Sequence, residues 1–211
     1  MVRPGIDRMF QTPAKNFFLY GMTIAALEEF ISQGVLKGSC FLWVFTLIPF
    51  ALFLVVARGV RAILRRRATG WRGPALYYLV TGGMGLAIEW FIIGLSPWSD
   101  QSSPRWLVAL FHAGVFSFWG TVALAPYILL DDRPENARLK RRFLWAFAAL
   151  MIVTYVLTFT AKVGGARGDA QFLASIGPLA ITFLTMNVFY GLYFRSCGTL
   201  RRTTSGGPWT P

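Results

Sequence analysis

Long apolar runs separated by short polar segments make up most of this chain. The runs lack the polar stripe that a helix on a soluble core shows, and each is about as long as the ~20 residues that cross ~30 Å of hydrocarbon as a helix. The pattern predicts an all-α, polytopic membrane helix bundle with six transmembrane helices. The predicted helices cover 17–36, 39–57, 75–95, 106–130, 143–163 and 172–194.

Composition agrees with this class, because 55% of the residues are hydrophobic and only 14% are charged. The net charge of +12 is concentrated in alternate connections. Lysine and arginine number three in 1–16, six in 58–72, five in 131–142 and three from 195 onward, against four in the remaining connections. This asymmetry follows the positive-inside rule. We therefore expect a multi-pass protein of the cell membrane with both termini in the cytoplasm.

The basic segment 58–72, from Arg58 to Arg72, is interpreted first as a signal for this orientation. We also expect it to contact anionic lipid headgroups, which attract juxtamembrane arginines. The same distribution argues against nucleic acid as a partner, since the positive charge follows the membrane topology.

Hydropathy divides the chain into three segments. They are a basic cytoplasmic lead over 1–16, a six-helix transmembrane domain over 17–195 and a polar tail over 196–211 that we expect to be disordered and cytoplasmic. The first apolar run could also be a signal peptide, but no clear A-x-A site follows it. Cys40 and Cys197 are predicted on opposite sides of the membrane, too far apart for a disulfide.

Two of the predicted helices share a related sequence. GMTIAALEEF, which begins at Gly21, resembles GMGLAIEWF, which begins at Gly83. The helix after each carries a proline in an apolar context, Pro49 and Pro126. A parallel two-helix repeat, relating helices 1 and 2 to helices 3 and 4, would explain the likeness, and such repeats occur in some transporter folds. Chance similarity between apolar helices is the alternative.

Four ionisable side chains lie inside the apolar runs, where a charged group is costly and by default marks a functional site. They are Glu28, Glu29, Glu89 and His112. At a rise of 1.5 Å per residue, all four are predicted at roughly 9–12 Å below the extracytoplasmic ends of their helices. Small residues share a helix face with Glu28 and with Glu89, which predicts that both carboxylates point into the bundle.

Carboxylates that meet in a low dielectric cannot all ionise cheaply, so we expect one of them to hold a proton. Such a group suits general acid–base catalysis, a proton relay or a cation held between carboxylates and an imidazole. A hydrogen-bonded cluster that only fixes helix packing is the alternative. The sequence specifies neither a cofactor nor a metal.

The segment 28–34, EEFISQG, resembles the EExxxR-G motif of the CPBP (CAAX-protease-type) intramembrane glutamate proteases. The resemblance implies a paired-glutamate site that activates water together with downstream histidines. Gln33 replaces the arginine of that motif. Val108 and Phe183 stand where the family's second and third motifs require phenylalanine and histidine. We therefore do not assign the chain to this family.

Three functions are compatible with these residues. The one we favour from sequence is a membrane-embedded enzyme acting on a lipid-like or peptide substrate, with Glu28 or Glu89 as base, a neighbouring carboxyl as acid and His112 as relay or metal ligand. The second is a small proton- or cation-coupled transporter or channel. The third is a non-catalytic subunit or assembly factor with a membrane-protein partner, or a homo-oligomer. The chain has no P-loop, GxSxG or dinucleotide fingerprint.

Overall fold

The computed structural model describes residues 14–67, 70–95, 97, 104–166 and 168–204, with side chains at all of these except 65–67, 168, 169, 172 and 198–204. This part of the chain is all-helical and contains no strand. Its long helices are α1 (Ala14–Glu29), α2 (Cys40–Arg67), α3 (Arg72–Ile88), α4 (Arg105–Leu129), α5 (Ala137–Val163) and α6 (Gly168–Thr204).

Five of these helices, α2 to α6, are long and apolar enough to cross a membrane. α1, which carries the adjacent Glu28 and Glu29 at its end, is not among them. The predicted fold class is therefore confirmed at the level of an all-helical bundle with five or six helices able to span a membrane. Six crossings, cytoplasmic termini and the internal repeat stay predictions.

Three helices extend beyond their predicted limits at one end of the bundle. α2 continues through 58–67, which the sequence predicted as a loop. α5 already begins at Ala137, and α6 continues to Thr204. Hydropathy shows where an apolar stretch ends, whereas arginine and lysine are good helix formers and let the backbone continue. The loop prediction for 58–67 was therefore wrong.

The predicted segment boundaries agree with the structure only in part. Residues 14–16 of the predicted lead form the start of α1, and 1–13 lie outside the described residues. Residues 196–204 of the predicted disordered tail continue α6, and 205–211 also lie outside the described residues.

α4 lies at the centre of the bundle. Its residues 117–129 are buried without interruption, and it contacts α1, α2, α3 and α6. α1 also packs against α2, and α5 packs along α6. The Glu-bearing helices α1 and α3 therefore both lie against the same central helix, which is the arrangement that positions the site described below.

Small residues allow α4 to approach its neighbours closely, as is usual between helices in membranes. Gly85 of α3 lies directly against the side chain of Trp119, leaving no room for a Cβ atom. On the other side of α4, a Cβ at Gly114 would come within 2.5 Å of the Cβ of Ala180 in α6. At Gly85 and at Gly114, the backbone of one helix therefore contacts a side chain of the neighbouring helix.

The connection between α4 and α5 is held by one buried carboxylate. Asp131 is 4% exposed and accepts hydrogen bonds from Arg133 Nε at 2.9 Å and from Asn136 Nδ2 at 2.8 Å. Burial alone would raise the pKa of Asp131, but the hydrogen bonds and charge of Arg133 outweigh it and hold that pKa below its usual value. We call the end of the bundle that contains 58–67 and Asp131 the basic end.

We predict that Gly85→Ala destabilises the protein by about 1–3 kcal/mol, the usual cost of overpacking a well-packed site. The matched control is Gly83→Ala in the same helix, where no atom lies within 4 Å of the added Cβ. Alanine is also the better helix former, so the control should be neutral or slightly stabilising. Thermal unfolding in mild detergent measures both, and equal stability of the two variants would contradict the packing described here.

We predict that Asp131→Asn lowers the free energy of unfolding by about 1–3 kcal/mol at neutral pH, because it weakens charged hydrogen bonds to Arg133. The exposed neighbour Asp132 provides the control, and Asp132→Asn should change stability by less than ~0.5 kcal/mol. Since the folded-state pKa of Asp131 is lowered, its contribution is present above the ordinary aspartate pKa and is lost as the pH falls through the folded-state value. The difference in unfolding midpoint between the wild type and Asp131→Asn should therefore narrow as the pH falls below the ordinary aspartate pKa of ~4. A difference that does not narrow below that pH would show that the carboxylate charge is not responsible.

Candidate functional site

Both acidic stretches change from α-helical to π-helical geometry at their glutamates. α1 ends at Glu29 and continues as the π-helix Phe30–Leu36. α3 ends at Ile88 and continues as the π-helix Glu89–Ile93. π-helical turns are rare and are frequently found at functional sites. The change in helix type therefore occurs at the same glutamates that interrupt the apolar runs of the sequence.

Wide backbone hydrogen bonds close the two π segments. The N–H of Ser39 donates to the carbonyl of Gln33 at 3.0 Å, and the N–H of Leu95 donates to the carbonyl of Glu89 at 2.8 Å. Gly94 closes the second segment with a φ of +87°, in the left-handed region that glycine adopts readily. Both segments therefore end in a defined turn.

Of the three glutamate residues Glu29 is the least exposed, at 8%, while Glu28 and Glu89 are half-buried as whole residues. Ser32 Oγ lies 3.5 Å from Glu29 Oε2, one helical turn further on. The side chains of Thr46 and Gln33 also interact with this carboxylate. Glu29 is therefore surrounded by neutral polar groups and not by a paired arginine.

The structure brings the predicted side chains of the two stretches together. Glu28 interacts electrostatically with Glu29 and Glu89. Glu89 in turn interacts electrostatically with Glu29 and with His112. Lys37, near the end of the first π segment, attracts both Glu28 and Glu29. Carboxylates from two separate helices thus share one electrostatic environment. We call Glu28, Glu29 and Glu89 the carboxylate cluster.

Trp119 is a site residue that the sequence analysis did not single out. Its indole N–H donates to Glu89 Oε1 at 3.2 Å, and its ring is 1% exposed. The ring stacks on Phe50 and lies edge-on to Phe53, each at a centroid distance of 4.6 Å. The signal in the sequence was a tryptophan in the middle of an apolar helix, far from the membrane interface where tryptophan is enriched.

His112 lies beside Glu89, but its ring nitrogens bind the backbone. Nδ1 is 2.7 Å from the carbonyl oxygen of Val108, and Nε2 is 3.0 Å from that of Leu95. Both ring nitrogens therefore lie within hydrogen-bond distance of a backbone carbonyl oxygen. His112 thus contacts the end of the second π segment and lies near Glu89.

The carboxylates are not arranged as a metal-binding group. Within the described part of the chain, no three His, Cys, Asp or Glu side chains are placed to hold a metal ion. Cys40 is exposed and Cys197 is buried, and both are free thiols, as the sequence predicted. A cation held between the carboxylates and the imidazole therefore gains no support from the geometry.

Comparisons with protein-family models, with curated proteins and with solved structures find no match to this chain. The resemblance of 28–34 to the glutamate protease motif thus gains no support from the rest of the sequence. The function is argued below from the geometry of the site.

We predict that a hydrophobic carbodiimide modifies the carboxylate cluster at pH 7, because this reagent reacts with carboxyl groups that are protonated in apolar surroundings. Mass spectrometry of peptides should find the adduct on Glu28, Glu29 or Glu89, and replacing all three by glutamine should remove it. The exposed Glu135 is the internal control and should stay unmodified. Equal modification of Glu135 and the cluster, or no modification of the cluster, would contradict a buried protonated carboxyl.

Proposed function

We propose that the protein conducts protons across a membrane through the carboxylate cluster of Glu28, Glu29 and Glu89. The observation that carries this proposal is the convergence of three carboxylates from two helices in a bundle of membrane-spanning length. Intramembrane acids facing a bundle interior are typical of proton relays in pumps and transporters.

Electrostatics favours a proton as the species that the cluster exchanges. Two like charges ~5 Å apart repel by about 3 kcal/mol at an effective dielectric of ~20. Uptake of one proton removes this repulsion and also part of the cost of keeping a charge out of water. The neutral donors around the cluster, Ser32 and Trp119, can serve either a carboxylate or a carboxylic acid, because both accept a hydrogen bond. The surroundings therefore suit a site that gains and loses a proton without rearrangement.

The enzymatic function favoured by the sequence is less well supported. It assigned His112 as relay or metal ligand, whereas both ring nitrogens bind the carbonyl groups of Val108 and Leu95. The carboxylates could act as acid and base, but within the described part of the chain no three His, Cys, Asp or Glu side chains are placed to hold a catalytic metal ion. We therefore place proton conduction ahead of catalysis.

The proposal includes the orientation derived from the positive-inside rule. The basic end, with both chain termini, would face the cytoplasm of a cell membrane, and the carboxylate cluster would lie in the extracytoplasmic half. Within 58–72, Arg72 is exposed and Arg58 is half-buried. These side chains would then lie at the depth of anionic lipid headgroups.

The test is proton flux in liposomes that contain the purified protein. A potassium gradient with valinomycin sets the membrane potential, and a trapped pH-sensitive dye reports the internal pH. We expect the wild type to carry a flux above protein-free liposomes. Glu89→Gln should reduce it to that background, because glutamine keeps the shape and the acceptor for Trp119 but cannot exchange a proton. Glu28→Gln and Glu29→Gln should also reduce the flux.

Glu135→Gln is the matched control, since Glu135 is exposed and lies outside the cluster, and it should keep the wild-type flux. A wild-type flux no greater than that of protein-free liposomes would overturn the proposal. So would an undiminished flux in all three cluster variants.

A further inference from the structure

Buried hydroxyl side chains follow the interface of α6 with α4 and α5 through most of the bundle. Each of them is at most 2% exposed. They are Ser175, Thr182, Tyr190 and Tyr193 on α6, Thr154 and Thr158 on α5, and Ser117 and Thr121 on α4. Along α6 the distance from Ser175 to Tyr193 is ~27 Å at 1.5 Å per residue, close to the ~30 Å of a hydrocarbon core. We call these eight residues the hydroxyl column.

Hydrogen bonds between helices join members of the column. One bond connects α5 to α6, and two connect α4 to α6. The second of these two is donated by Asn187 of α6, whose side-chain oxygen also accepts a hydrogen bond from Tyr78 of α3. The bonds are Thr154 Oγ1 with Thr182 Oγ1 at 3.1 Å, Tyr190 OH to Thr121 Oγ1 at 2.7 Å, Asn187 Nδ2 to Ser117 Oγ at 3.0 Å and Tyr78 OH to Asn187 Oδ1. The middle of the column therefore holds two direct hydroxyl pairs and one link through the amide of Asn187.

Two members of the column have no hydrogen-bond partner among the described residues. The hydroxyls of Thr158 and Tyr193 are both completely buried and unpaired. Buried polar side chains of this kind are uncommon and call for an explanation such as a bound water. Thr158 lies towards the end of the column remote from the basic end, and Tyr193 lies near the basic end. The unpaired hydroxyls therefore lie close to the two ends of the hydroxyl column.

The end of the column near Thr158 adjoins the elements that carry the carboxylate cluster. The π segment Phe30–Leu36, which follows Glu29 directly, packs against both α5 and α6. Lys162 of α5 donates to the carbonyl of Val35. The segment that follows Glu28 and Glu29 is thus held against the two helices between which the column begins.

The other end of the column reaches the ionisable groups of the basic end. Tyr193 interacts electrostatically with Asp131, Arg133 and Arg61. The guanidinium carbon of Arg133 lies 5.7 Å from the centroid of the Tyr193 ring. A proton that reached Tyr193 would therefore be one step from the charged groups of the basic end.

We propose that the hydroxyl column is the path along which protons pass between the carboxylate cluster and the basic end, with water bound at Thr158, at Tyr193 and between the hydrogen-bonded groups of the column. This inference rests on the proposed function. In each step an oxygen lone pair of a hydroxyl or water accepts a proton while the same oxygen releases its original proton to the next oxygen. One O–H bond forms and one breaks, so no group stays charged and no co-reactant is needed.

The test measures the same liposome flux for variants that lack only the unpaired hydroxyls, Tyr193→Phe and Thr158→Val. Because these hydroxyls have no hydrogen-bond partner, their removal should cost little stability. The matched controls are Tyr155→Phe and Thr160→Val on α5, where both side chains are exposed. Unfolding midpoints and carbodiimide labelling of the glutamates are measured on all four variants.

We expect Tyr193→Phe or Thr158→Val to lower the flux about tenfold or more, the effect of ~1.4 kcal/mol on a barrier. The controls should keep the wild-type flux, and glutamate labelling should be unchanged in all four variants. Wild-type flux in both column variants, together with its loss in Glu89→Gln, would overturn the path and leave the proposed function standing. Absence of flux in the wild type would overturn both, so the two failures are distinguishable.

Discussion

The fit of the Trp119 ring against Gly85 is the contact on which the rest of the structure depends. The ring fills the space that a side chain on α3 would occupy, and its other surface packs on Phe50 of α2. Its N–H donates to Glu89, so one side chain sets both the packing of three helices and the position of a carboxylate. Buried tryptophan contributes more apolar contact area than most side chains. The site and the core are therefore parts of one packing arrangement.

The buried ionisable side chains of the bundle lie towards its two ends. Towards one end, acids from two helices meet among neutral donors and the side chain of His112. At the basic end, the buried Asp131 is matched by Arg133 and Asn136. The second group is a hydrogen-bonded ion pair of the kind that fixes a structure. The first group has no hydrogen-bonded arginine among the described residues, and acids of that kind inside a membrane mark a functional site by default.

Much of the fold follows from the sequence, because hydropathy locates helix centres and a fixed rise per residue gives depth. That is why Glu28 and Glu89 could be predicted at one level. The end of α2 could not be predicted in this way, because residues 58–67 lie beyond the apolar stretch but remain helical. The partners of His112 depend on where the chain turns after the second π segment, which no local pattern encodes. The same holds for the role of Trp119, which exists only once α3 and α4 have packed.

α1 differs from the other helices in a way that bears on biosynthesis. Its two adjacent glutamates leave it short of the hydropathy of the five spans that follow. A charged residue near the centre of an inserting helix costs about 2.5–3.5 kcal/mol on the translocon scale. The apolar surfaces that bury α1 belong to α2 and α4, which leave the ribosome later. α1 is synthesised before α2 and α4, so it is expected to insert stably only after they do, and α2 would set the topology of this part of the nascent chain.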